Sequence, residues 1–261
     1  MEINSKNEVK HLFEKYQVTK KIDNTQDEDM IAVINHLETD AVQYERPDAY
    51  MPLGKFIYAV EHFCISQYKK NKNSDLSMEA EGIKKHRENL RKDKDFSLAP
   101  SLENLFNSLQ YNLKNHSNNF SIYKKNVLEL DKENRTYRLV ILIEEVTSSW
   151  IVKKRDVNPV NPLNLSTVVE TLLKYQESVW GIIYVYGNER DKCMTGYTME
   201  ELKTLKETGN TLPAENYAPF EVGRNIHVSK DNAENDTNNV TIILHDSFVT
   251  NDELFHKEEN L

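Results

Sequence analysis

The sequence predicts an α/β protein with a mixed central sheet flanked by helices. Three observations point there. Residues 56–65, 136–147 and 179–186 are almost wholly apolar, aromatic or β-branched, the pattern of strands buried on both faces. Residues 26–38 and 165–176 carry apolar side chains at helical spacing, so each offers one face to a core. The chain has 261 residues, 38% hydrophobic and 29% charged, which is enough for a large core under a polar surface.

Taken in order, residues 1–25 are polar, with one short helix around Val9 to Tyr16. The helix over 26–38 opens on Asp27, Glu28 and Asp29, which suit its positive N-terminal end. Met30, Val33, Ile34 and Leu37 form its apolar face, and Glu38 borders that face. Residues 48–51 and 56–65 read as a hairpin, turned by Pro52-Leu53-Gly54. The block 67–131 reads as a mostly helical insertion. It holds a basic loop, a highly charged helix over 76–94 and a helix over 101–115 capped by Ser101. A strand follows over 136–147, with 150–152 as a short return strand. After the helix 165–176 and the strand 179–186, Thr198 and Glu201 spell a capping box for a helix over 198–208. Residues 240–244 make a last strand, and the tail 246–261 is polar. The simplest organisation is a single domain over 1–261, with its core in 26–66 and 136–187.

Composition excludes several classes. The net charge of -9 argues against a protein that coats nucleic acid with its whole surface, but not against a local basic groove. No apolar run is long enough to span a membrane, and the N-terminus lacks the apolar core of a signal peptide. Cys64 and Cys193 show no metal-ligand spacing and the eight histidines no HExxH, which argues against zinc. Both thiols are expected free, in a reduced, cytoplasmic protein. Seven glycines form no phosphate-binding loop, and no serine nucleophile elbow occurs.

The informative residue is Glu61, a carboxylate inside the apolar run 56–65. Desolvating an unpaired carboxylate costs several kcal/mol, so Glu61 either meets solvent on an edge or is held for a purpose. His62 points to the other face of the strand. Glu144 and Glu145 are expected to meet solvent where their strand ends.

With the block 67–131 set aside, the element order is helix, strand, strand, strand, helix, strand. In that order, with Pro47-Asp48 opening one strand and Glu61 in the next, the chain resembles the restriction-endonuclease-like nucleases of the PD-(D/E)xK group. The resemblance implies a restriction-endonuclease-like core carrying a helical insertion. It also implies a metal-dependent nuclease, with Asp48 and Glu61 as catalytic metal ligands for Mg²⁺ or Mn²⁺. Glu38 on the preceding helix would assist. The family's lysine falls two residues after the acidic one, and that position is Phe63. Lys55 lies six residues before Glu61, roughly 20 Å away along a strand.

Carboxylates that converge at a strand edge repel one another until a hard cation sits between them. Such a cation lowers the pKa of a bound water and steadies charge on a leaving oxygen, the two needs of phosphodiester hydrolysis. Lys69, Lys70 and Lys72 in the basic loop would hold a nucleic-acid backbone. The alternative is a non-catalytic interaction or regulatory protein on a degenerate core of this kind, with a protein partner or a second copy of itself. Phe63 and the acidic charge favour that alternative.

Overall fold

The computed structural model describes residues 8–67, 101–146, 150–154, 158–187, 191–220, 226–229 and 241–244. The helices are α1 (Glu8–Lys15), α2 (Glu28–Asp40), α3 (Leu102–Ser117), α4 (Phe120–Leu130), α5 (Ser166–Leu173) and α6 (Met199–Glu207). The strands are β1 (Gln17–Lys20), β2 (Val42–Gln43), β3 (Ala49–Leu53), β4 (Phe56–Ile65), β5 (Thr136–Glu145) and β6 (Trp150–Lys153). They continue with β7 (Gly181–Gly187), β8 (Asp191–Thr198), β9 (Tyr217–Phe220), β10 (Ile226–Ser229) and β11 (Thr241–Leu244).

The fold is α/β, with a mixed central sheet flanked by helices. Seven strands stand in the order β1-β8-β7-β5-β4-β3-β2. β4, β5 and β7 run parallel, β3 and β8 run against them, and β1 is parallel to β8. The centre is the ten-residue ladder of β4 on β5, from Phe56 opposite Thr136 to Ile65 opposite Glu145. Side chains alternate along these strands, so each contributes to two cores. Ile57, Ala59, Phe63 and Ile65 join Leu139, Ile141 and Ile143 beneath α3, α4, α5 and α6. Tyr58, Val60, Val140 and Leu142 meet α1 and α2 on the other face.

The helix 26–38 is present as α2. The Asp27 carboxylate accepts the Met30 backbone N–H at 2.9 Å, and the four expected apolar residues are buried. Ser101 caps α3 by accepting the Asn104 N–H at 3.1 Å. Thr198 and Glu201 cap α6 reciprocally. The 48–65 hairpin forms with a later turn. Pro52 stays in β3 opposite Ile57, and Gly54 makes the reversal at φ 56°. β2 pairs only with Tyr50 and Ala49, so Pro52 has an open edge where its missing N–H costs no ladder bond.

Three expectations change. Residues 102–130 cannot be set aside as an insertion, because β4 and β5 are parallel and α3 and α4 connect them. Parallel neighbours need a crossover of a dozen residues or more. β6 does not return alongside β5; it pairs with β9 in a separate two-stranded sheet. β1 and β8 complete the far edge of the main sheet, although neither shows a clean apolar pattern. The charged helix expected over 76–94, the basic loop with Lys69, Lys70 and Lys72, and the tail 246–261 lie outside the described residues. Among the described residues no helix is long and apolar enough to cross a membrane.

β8 is hard to read because it holds Gly196 at its centre. A Cβ there would lie 2.9 Å from Met30 Sδ and 3.0 Å from the Ile182 carbonyl oxygen. The glycine is what lets α2 pack down on β7 and β8. Gly196→Ala should therefore lower unfolding stability by about 1–3 kcal/mol through overpacking. Urea denaturation of the two proteins side by side measures this.

Candidate functional site

Glu61 sits in the middle of β4 and is 5% exposed. It points toward α3 and α4, and both helices answer it. His116 Nδ1, near the end of α3, lies 2.6 Å from Glu61 Oε1. The Tyr123 hydroxyl, on α4, donates to the same oxygen at 2.5 Å. Burial, this hydrogen bond and the charges of Glu61 and Asp48 push the Tyr123 hydroxyl above its usual pKa. Tyr137, on the β5 side, is pushed up by burial and by the Glu61 charge. Its buried hydroxyl has no hydrogen-bond partner among the described residues. A buried carboxylate met by a histidine and a tyrosine thus sits inside an apolar layer.

Asp48 joins this group. It immediately precedes the β3–β4 ladder, whose last pair is Ala49 with Val60, so the register places it opposite Glu61. Its Oδ2 accepts the backbone N–H of His62 at 2.7 Å. The carboxylate thereby caps a β4 donor just before β3 begins. The structure thus brings Asp48 and Glu61 together across adjacent strands.

Glu38 is elsewhere. It is exposed on α2, on the opposite layer of the sheet, and its Oε2 lies 3.6 Å from Lys20 Nζ. It does not reach Asp48 or Glu61. Lys55 stays at the hairpin turn, with its ammonium 5.1 Å from the Phe56 ring. Phe63 faces the same side as Glu61, and its ring stacks on His116 at 5.1 Å and 29°. Two residues after Glu61, then, the chain has a phenylalanine with a histidine lying over it. His116 and Tyr123 carry no local sequence signal, because they reach Glu61 only through the crossover.

The other face of the same strands holds a second polar cluster. His62 and Cys64 are two residues apart on β4 and therefore on one side. Glu144 stands opposite Cys64 on β5. Its Oε2 lies 3.2 Å from His62 Nε2 and 3.7 Å from Cys64 Sγ. Its Oε1 accepts from the Tyr16 hydroxyl at 2.9 Å and lies 3.5 Å from Lys15 Nζ. Burial works against the Glu144 charge, but His62, Lys15 and Tyr16 outweigh it and hold the carboxyl down at about 2. Burial raises the Cys64 thiol, and the Glu144 charge adds to that. The sequence gives no metal-ligand spacing for Cys64, and the His62-x-Cys64 pair acquires meaning only beside Glu144 on the neighbouring strand.

Glu144 and Glu145 do not meet solvent, contrary to the expectation from the end of their strand. They are 5% and 0% exposed because β5 is covered to its last residue. Glu145 faces the α3 side, where the Gln67 side-chain amide and the Tyr184 hydroxyl donate to it, the latter at 2.9 Å. Lys192, 1% exposed, donates to the Glu145 carbonyl oxygen at 2.6 Å and to that of Gly187 at 3.2 Å. Burial lowers the Lys192 ammonium.

No protein-family model, curated protein or solved structure matches this chain.

Burial pushes the Glu145 carboxyl up to about 7 from an ordinary 4.5, against the opposing pull of Lys192, Gln67 and Tyr184. The folded state therefore holds this proton more tightly than the unfolded chain does. Its contribution to stability is complete below pH 4.5 and is lost as pH rises through about 7. Glu145→Gln should gain stability relative to wild type between pH 5 and pH 8. Chemical denaturation across that range reads the change, and parallel curves for the two proteins would contradict it.

Proposed function

We propose that the protein is a metal-dependent nuclease of restriction-endonuclease-like type, centred on Asp48 and Glu61. The observation that carries this reading is the placement of these two carboxylates opposite each other at the end of the β3–β4 ladder. Two adjacent carboxylates are hard oxygen donors and fit Mg²⁺ or Mn²⁺. Bound there, the ion would supply a water of lowered pKa and would neutralise charge on a leaving oxygen.

The chain's own groups have distinct tasks. Asp48 and Glu61 hold the ion. Tyr123 fixes the Glu61 carboxylate through its short hydrogen bond. His116 is assigned the role that lysine has in the family pattern, from a different element. It reaches Glu61 from α3, stacks over Phe63 and keeps partial exposure, so its ring can orient water at the site. Lys69, Lys70 and Lys72 remain the proposed phosphate contacts.

A second reading is favoured by the same hydrogen bonds. His116 and Tyr123 saturate one oxygen of Glu61, which suits a structural carboxylate in a non-catalytic interaction module. The two readings separate on activity and metal together. The nuclease reading expects Mn²⁺ binding by titration calorimetry and cleavage of nucleic acid in Mg²⁺ or Mn²⁺. Asp48→Asn and Glu61→Gln should remove both while the folded circular-dichroism spectrum persists. His116→Ala should lower the rate by about 100-fold or more, as for loss of a positioned proton-handling group. A folded wild type with neither Mn²⁺ binding nor cleavage establishes the second reading.

A further inference from the structure

The face of β4 and β5 that packs against α1 carries a constellation the nuclease reading does not use. One ligand atom from each of His62, Cys64 and Glu144 falls within 4.8 Å of the other two. We propose that these three side chains form a zinc-class metal site with three protein ligands and a fourth position left to water or an exogenous ligand.

Geometry supports it first. Tetrahedral coordination at Zn–N and Zn–O near 2.0–2.1 Å and Zn–S near 2.3 Å puts neighbouring ligand atoms about 3.3–3.6 Å apart. Here Nε2 to Oε2 is 3.2 Å and Sγ to Oε2 is 3.7 Å, so two of the three sides are already close to that geometry, and the third pair lies within 4.8 Å. The arrangement is also convergent. In a cysteine–histidine–carboxylate relay the histidine stands between thiol and carboxylate. Here thiol and imidazole both reach the same carboxylate oxygen, and the three groups form a triangle.

The surroundings orient the ligands. Tyr16 and Lys15 occupy Glu144 Oε1 and leave Oε2 turned toward His62 and Cys64. Hydrogen bonds of this kind to a ligating carboxylate tune metal sites. His62 and Glu144 are nearly buried on the two central strands, whose pairing fixes their separation. Cys64 is partly exposed and gives a route in. Lys192 lies close, but its ammonium is directed at two backbone carbonyls.

Ligand chemistry selects the ion. One sulfur, one imidazole nitrogen and one carboxylate oxygen suit Zn²⁺ or Co²⁺, whereas Mg²⁺ requires near-octahedral oxygen. On binding, the Cys64 S–H proton leaves to solvent as the S–metal bond forms, so thiolate and carboxylate balance the two positive charges. Three protein ligands with one open position is the pattern of reactive zinc sites, while closed structural sites use four. The ligand set is distinct from Asp48 and Glu61: Glu61 points to the other face of β4, and Asp48 meets β4 from the β3 side.

Co²⁺ titration of the full-length chain tests this. The expected result is tetrahedral d–d absorption and a thiolate-to-cobalt charge-transfer band that grow in together and reach the amplitude of one thiolate-bound cobalt per chain. The band should vanish in Cys64→Ser and persist in Cys193→Ser and in Glu61→Gln. Tyr16→Phe should weaken binding about 10-fold, the usual effect of losing a partner of a metal ligand. Zinc-edge X-ray absorption on wild type needs no variant. It should show one sulfur at about 2.3 Å with nitrogen and oxygen at about 2.0 Å. No thiolate band, a band that survives Cys64→Ser, or a zinc shell without sulfur overturns the proposal.

Discussion

The parallel pairing of β4 with β5 is the constraint on which the rest depends. Ten consecutive residues of each strand align, and nearly all of β4 and the last seven residues of β5 are buried. A strand covered on both sides has no solvent face for its polar residues. Each one must find partners in one core layer or the other, and strand alternation decides which. Glu61 and Glu145 go to the α3 and α4 side, while His62, Cys64 and Glu144 go to the α1 side. Two neighbouring polar clusters with different chemistry follow from one ladder.

Parallel pairing also dictates the connection. The chain must cross back over the sheet between Ile65 and Thr136, and α3 and α4 cover one face of the sheet as part of that path. Their apolar residues Leu105, Leu109, Leu113, Tyr123 and Val127 bury against the sheet. The same helices deliver His116 and Tyr123 to Glu61. The helical block is thus core and candidate site at once, which explains why removing it from the reading misplaces the chemistry.

Three buried glutamates show how differently one side chain can be treated. Desolvation raises the cost of the charge in each case. Around Glu144 the cations and donors prevail and the group stays ionised. Around Glu145 the enclosure is complete, and its donors and Lys192 compensate only in part. Glu61 sits between histidine and tyrosine, with Asp48 across the ladder. Environments that push neighbouring carboxyls in opposite directions are a mark of functional clusters, although structural ion pairs produce the same effect.

What the sequence by itself determined is local. The caps Asp27, Ser101 and Thr198, the apolar face of α2 and the long apolar strands each follow from a short stretch of chain. So do the mixed α/β class and the singling out of Glu61 as a carboxylate in an apolar run. The adjacency of Asp48 and Glu61 is not among these, because the turn expected at Pro52-Leu53-Gly54 sets another register and only the observed pairing of Ala49 with Val60 puts the two opposite each other. Tertiary structure alone decided the strand directions, because an apolar run reads the same parallel or antiparallel. It decided that β1 and β8 join the sheet, since Gly196 hides a strand whose value lies in close packing against Met30. It decided that Glu38 faces away from Glu61 and that Glu144 and Glu145 are buried. Most of all, it supplied the partners His116, Tyr123, Tyr16 and Lys15. Each meets its carboxylate at a sequence separation of 55 or more, a distance over which residue type carries no signal.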